Sequence, residues 1–179
     1  MSNAANVRIG QVDVYVDYLD GNGERHLGHT LGGAEFTFER EFTDLTVDQY
    51  GTSTLDMALT GNNLMIKATL AEITAQNLAE AIPEGVYAYS GSDSKLSLGR
   101  SAGYLLSNKD AQLRLHPVVN ASSNHNEDVY IWRAVSVESV ELSFKVDEQR
   151  VLEITWKALI DETQPEGRLL GQVGDNAIS

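Results

Sequence analysis

Hydrophobic and polar positions alternate with period two along much of the chain, and each alternating run predicts a strand. Between Val7 and Tyr18, Val12, Val14, Val16 and Tyr18 share one face while Asp13, Tyr15 and Asp17 share the other. Such a run of β-branched residues reads as a strand half buried in a core. DGNGE, Asp20 to Glu24, is a hairpin turn signal. Alternation resumes from Ala34 to Phe42: Phe36, Phe38 and Phe42 fall on the expected core face with Arg40, and Glu35, Thr37, Glu39 and Glu41 on the other. Leu64, Ile66, Ala68 and Leu70 mark a further strand, and AQLRLHPV at 111–118 a short one. Val129 to Lys145 is a long β run whose apolar parity changes, which predicts a bend or break near Ser136–Ser139. Leu152, Ile154, Trp156, Ala158 and Ile160 give the last clear strand.

One segment carries a helical pattern. Thr74 is placed to cap it, Leu78 and Ile82 form its apolar stripe, and Pro83 and Gly85 stop it. Residues 86–109, rich in Gly, Ser and Tyr, have no clear period, and Asn120–Asp128 reads as a loop. The segment TVDQYGTSTLDMALTG, 46–61, is mostly polar yet holds Val47, Tyr50, Leu55, Met57 and Leu59. It predicts a long loop over 43–62. A loop beyond about 12–15 residues is usually functional or disordered. The expected architecture is one mainly β domain over 1–179, a sandwich or barrel with one short flanking α-helix and long loops, and with 1–6 and 162–179 as peripheral arms.

Charge narrows the partners. The chain has 26 acidic against 13 basic residues and a net charge of -13, which opposes binding to nucleic acid or to anionic membranes. There is no cysteine, so disulfides, thiolate metal sites and cysteine nucleophiles are excluded. No secretory signal is expected from MSNAANVRIG, and no apolar run approaches the roughly 18 residues of a membrane helix.

A search for catalytic or metal chemistry returns little. His26, His29, His116 and His125 read as surface side chains, and the two histidines of HLGH would point to opposite faces of a strand. DGNGE fails as a calcium loop because Arg25 stands where glycine is required and Leu31 where the closing acid is required. The loop at 120–128 could hold calcium only adventitiously. Carboxylate pairs such as Asp13/Asp17 and Glu39/Glu41 read as a solvated acidic face. Ser53 and Ser90 lie in no nucleophile elbow, and no phosphate-binding glycine loop occurs. Trp132 and Trp156 sit in strand patterns and are expected in the core or an interface. No catalytic, cofactor-binding or metal-binding residue is assigned, and the expectation is a non-enzymatic structural or binding module without a cofactor.

Three stretches together resemble the tail tube proteins of long-tailed bacteriophages. The first, residues 27–83, runs from LGHTLGG through the aromatic and acidic strand, the VDQYGT loop and the LTG step to LAEITAQNLAEAIP. The second is DVYIWRAVSVESVELSFKVDEQRVLEITWKALID, 128–161, and the third PEGRLLGQVGD, 165–175. Residues 86–127 match least. The resemblance implies a structural virion protein of tail-tube fold whose subunits close into hexameric rings. Those rings stack into the tail tube, the channel through which DNA passes to the host without specific binding. It implies as partners other copies of the chain, a tape-measure protein, tail terminator and tail-tip proteins, with no membrane. The location would be the tail of the virion, after assembly in the host cytoplasm. On this reading Asp13, Asp17, Glu35, Glu39 and Glu41 are candidates for an acidic lumen, and the 43–62 loop contacts a neighbouring subunit through Tyr50, Leu55, Met57 and Leu59. The alternatives are a secretion-system or contractile-particle tube protein of similar fold and, in a different class, a β-sandwich that binds a small ligand or carbohydrate.

Overall fold

The computed structural model describes residues 10–19, 22–147 and 149–177. The fold is mainly β and every strand pairing is antiparallel. The strands in chain order are β1 (Val12–Asp17), β2 (Arg25–His26), β3 (Thr30–Thr46), β4 (Thr54–Leu70), β5 (Val86–Ser90), β6 (Asp93–Ser97), β7 (Ala111–Pro117), β8 (Val129–Ser136), β9 (Leu152–Ala158) and β10 (Gly171–Val173). The helix α1 (Ala75–Ala81) lies between β4 and β5. Eight strands form one sheet in the order β2-β1-β7-β8-β9-β4-β3, with β10 added to β8; β5 and β6 form a separate hairpin.

The two ends of that strand order meet. β2 pairs with β1 through Tyr15 and His26. The chain continues along β1, where the Leu27 amide donates to Val14 O at 2.9 Å and the Thr30 hydroxyl to Val12 O at 3.2 Å. Thr30 then pairs with Leu70 on β4, and the Ala71 amide donates to His29 O at 2.8 Å. One segment therefore serves both edges, and the sheet curls into a barrel. The crossover needs Gly32 and Gly33, whose φ of 81° and 86° are ill suited to residues with a Cβ. Closing the sheet satisfies edge groups that would otherwise template aggregation.

The core is what the alternation supplies. Val14 and Val16 from β1, Leu64, Ile66 and Leu70 from β4, and Leu152, Ile154 and Trp156 from β9 are buried together with Leu113 and Ile131. The expected helix forms where its signals place it, with Thr74 Oγ1 accepting from the Asn77 amide at 3.0 Å. Leu78 and Ile82 pack on the core. Among the described residues, no helix is long and apolar enough to cross a membrane.

Several expectations are corrected. Residues 43–62 are not a loop: β3 runs to Thr46 and β4 starts at Thr54, so only the short turn between them is irregular. Phe36, Phe38 and Phe42 are not core residues; each is 42–47% exposed. The β run from Val129 breaks at Ser136, within the expected Ser136–Ser139, but no strand resumes toward Lys145 among the described residues. Residues 162–177 are not merely peripheral, because β10 is a strand of the main sheet and pairs Gly171 with Ile131. The patternless stretch contains the β5–β6 hairpin. Residues 1–6, and Asp20 and Gly21 of the DGNGE turn, lie outside the described residues.

Candidate interaction surface

β4 pairs with β9 only from Met65 to Leu70. From Asn63 outward, β4 is paired with β3 alone, and the register continues through Arg40↔Asn62, Phe42↔Leu59 and Asp44↔Met57 to Thr46↔Thr54. The outer halves of the two strands are thus a free ribbon, an arm reaching on the order of 20 Å beyond the barrel at about 3.3 Å per residue. Its turn is a single 3₁₀ turn, Asp48–Tyr50, closed by Gly51 at φ 62°. A two-stranded ribbon with open edges is marginal in water by itself.

The arm has two unlike faces. Residues directly opposite in an antiparallel pair share a face, so Phe36 and Phe38 stand with Ile66 and Leu64 on the face that continues the core. A register shift between Glu41 and Phe42 adds one residue on β4. That bulge brings Leu59 and Met57 onto the same face as Phe42, and Leu55 is the extra residue of a second register shift, between Leu45 and Thr46. An apolar stripe therefore leaves the core at Phe36 and runs out along the arm. Leu55, Met57, Leu59 and Tyr50 are 54–64% exposed, so they do not pack on their own domain. At the root of the stripe, a cavity of about 300 Å³ opens between Phe36, Phe38 and Leu64 on one side and Leu169, Leu170 and Val173 on the other.

The opposite face is acidic. Glu35, Glu39 and Glu41 share this face with Thr37, the three acids opposite Lys67, Asn63 and Gly61 in the register. Asn63 donates to Glu39 at 3.1 Å. Lys67 also binds Glu153 at 2.9 Å, which raises its pKa through that hydrogen bond and its charge. Asp13 and Asp17 are elsewhere, on the outward face of β1. Asp13 faces His26 at 3.3 Å, and Asp17 accepts from the Leu19 amide at 2.8 Å. The five candidate acids thus fall into two groups, Asp13 and Asp17 on β1 and Glu35, Glu39 and Glu41 on β3. The four candidate contact residues share the arm, Met57 and Leu59 on its apolar face, Leu55 at the second register shift and Tyr50 in its turn.

Sequence reasoning missed a buried polar cluster. His116, read from the sequence as a surface side chain, is the penultimate residue of β7 and faces Asp128, which immediately precedes β8; both are buried. His116 Nδ1 is 2.7 Å from Asp128 Oδ1, and His125 Nδ1 is 2.8 Å from Oδ2. Arg114 donates to Asp128 Oδ2 at 3.2 Å and also binds Glu24. Burial pushes the Asp128 carboxyl up, but the hydrogen bonds from His125, His116 and Arg114 outweigh it and hold it below the ordinary range. Burial and the nearby Asp128 charge raise the Tyr130 phenol. The available signal was the β7–β8 register: Leu115 pairs with Val129, so the next outward positions, His116 and Asp128, face each other.

No protein-family model matches the chain, and no curated protein matches it either.

Proposed function

We propose that the chain is a self-assembling structural subunit of tail-tube type, and that the arm is its contact with a neighbouring copy. One observation carries this reading: an amphipathic ribbon projects from a closed barrel with its apolar face uncovered and both its edges unpaired among the described residues. A barrel that has removed its own edges gains nothing by projecting new ones unless another chain receives them. Covering the exposed part of each apolar side chain would contribute about 1 kcal/mol apiece. An arm from one subunit seated on the next is a head-to-tail contact, the kind that closes into rings. Hexameric rings stacked into a virion tube, with the acids of the opposite face toward a DNA channel, are the assembly this reading names. No catalytic group is required of it.

The test is negative-stain electron microscopy and light scattering of the purified chain over a concentration series, with a tail-tip complex supplied as nucleus. The expected result is rings or tubes with a central channel. The Met57→Glu/Leu59→Glu double variant is expected to remain a folded monomer, because both side chains are exposed in the subunit. A wild-type chain that stays monomeric under all these conditions, or a double variant that assembles normally, overturns the proposal. The cavity at the arm's root favours a second reading, a binder of a small apolar ligand. That reading predicts a compact particle of fixed size that is indifferent to the tip complex.

A further inference from the structure

His116, His125 and Asp128 bring two imidazoles and a carboxylate to one point at the end of the barrel from which the arm projects. One donor atom from each lies within 4.8 Å of the others. His116 lies near the end of β7, and His125 and Asp128 lie three residues apart in the 118–128 segment that leads into β8. Asp128 is fully buried and His116 is 5% exposed, whereas His125 is about one-third exposed and leaves a route from solvent.

Arg114 is bound to Asp128 and is shared with Glu24. Two carboxylates therefore face this guanidinium, and both imidazoles turn Nδ1 toward Asp128. Among the described residues, the neighbouring groups are engaged elsewhere or bring no charge. Asp13, opposite His116 in the β1–β7 register, faces His26. Glu127 accepts from Asn120 at 3.3 Å. The Tyr130 hydroxyl is 3.5 Å from Asp128 and brings no charge.

We infer that His116, His125 and Asp128 form a binding site for one divalent transition-metal ion of the zinc type. Two nitrogens and one carboxylate oxygen suit zinc, cobalt or nickel, whereas magnesium and calcium require oxygen-rich sets. On binding, each imidazole shifts its proton from Nδ1, which now bonds Asp128, to Nε2, so that the Nδ1 lone pair faces the ion. A metal–donor distance of about 2.0–2.2 Å requires the three side chains to separate slightly from their hydrogen-bonded spacing, leaving a fourth position for water. The bound ion ties the 118–128 loop to β7 and β8. Asp128 already accepts from the Gly174 amide through its own carbonyl at 2.8 Å, so the tie extends to the end of β10. The inference is independent of the assembly proposal.

The experiment uses the full chain, stripped with a chelator and titrated with Zn²⁺ or Co²⁺ alone. Calorimetry should show one ion per chain, Co²⁺ should develop the visible absorption of a low-coordinate site, and the thermal midpoint should rise. His125→Ala is expected to fold, since its side chain is partly exposed, and to weaken binding at least about tenfold. His26→Ala/His29→Ala is expected to bind like the wild type. Excess Mg²⁺ should not compete. Absence of one-to-one binding, or binding unchanged by His125→Ala but lost in the His26→Ala/His29→Ala variant, overturns the inference and leaves the cluster a hydrogen-bonded strut.

Discussion

Arg25 on β2 holds Glu80 on α1, with Nη2 2.6 Å from Oε1. The other carboxylate oxygen accepts from the Tyr18 hydroxyl at 2.5 Å, and Arg25 Nη1 donates to Asn77 Oδ1 at 2.8 Å. Asn77 in turn donates to the Leu27 and Glu72 carbonyls, both at 2.9 Å. The helix is thus bolted to the strand that closes the barrel. Removing the acid by Glu80→Ala leaves a largely buried guanidinium without its counter-charge. The expected cost is about 2 kcal/mol, less than for a fully buried pair because Arg25 keeps some solvent. Glu80→Gln should lose less, since its amide oxygen still accepts. Urea unfolding measures both, and a loss below about 0.5 kcal/mol for the alanine variant, the range of ordinary surface changes, would contradict the bolt.

Gly171 has no room for a side chain. A Cβ there would lie 2.1 Å from the Tyr130 carbonyl oxygen, a backbone atom that cannot rotate away. Gly171→Ala is expected to push β10 off β8 and to destabilise the fold by about 1–3 kcal/mol, the usual cost of overpacking. Trp132 reports on it, because its indole N–H donates to Arg168 O at 2.7 Å and its ring is stacked on Tyr130. Tryptophan emission should shift to the red as the unfolding midpoint falls. An unchanged spectrum and midpoint would mean that β10 does not depend on this contact.

If the acidic face of the arm lines a channel, its charge acts on what passes through it. Like charges repel over about 8 Å at physiological salt, so Glu39 and Glu41 would keep a DNA backbone from adhering. Glu39→Lys/Glu41→Lys is expected to leave ring formation intact and to slow DNA release from assembled particles. Release kinetics equal to wild type would place these acids on the outside.

The legible parts of the fold were those with one unbroken parity. Val12, Val14 and Val16 announce β1, and Leu152 to Ala158 announce β9, because every second residue meets the same core. The arm hid itself by changing parity. Met57 and Leu59 are odd and Leu64, Ile66, Ala68 and Leu70 are even, and the bulge near Gly61 lets both sets share a face. Read linearly, the switch looks like the end of one pattern and a polar loop. β10 has three residues, too few for any period to register. His116 and Asp128 needed the β7–β8 pairing before their opposition could be seen, and the sequence shows the two strands without their register.

The ladder that forms the arm is also the most local large one in the molecule. Its strands are joined by one short turn, so it can zip from that turn on the microsecond scale of hairpins. Barrel closure must wait for Val12 to find Pro117 across most of the chain, and such distant pairings are slow. A chain in the act of folding therefore shows its adhesive stripe before it has a body to carry it. If finished subunits associate through the arm, productive association depends on the order of two clocks, with closure needing to finish before a second arm arrives. The same apolar residues that would join finished subunits would entangle unfinished ones, and yield in the cell should fall with the rate of synthesis well before stability becomes limiting.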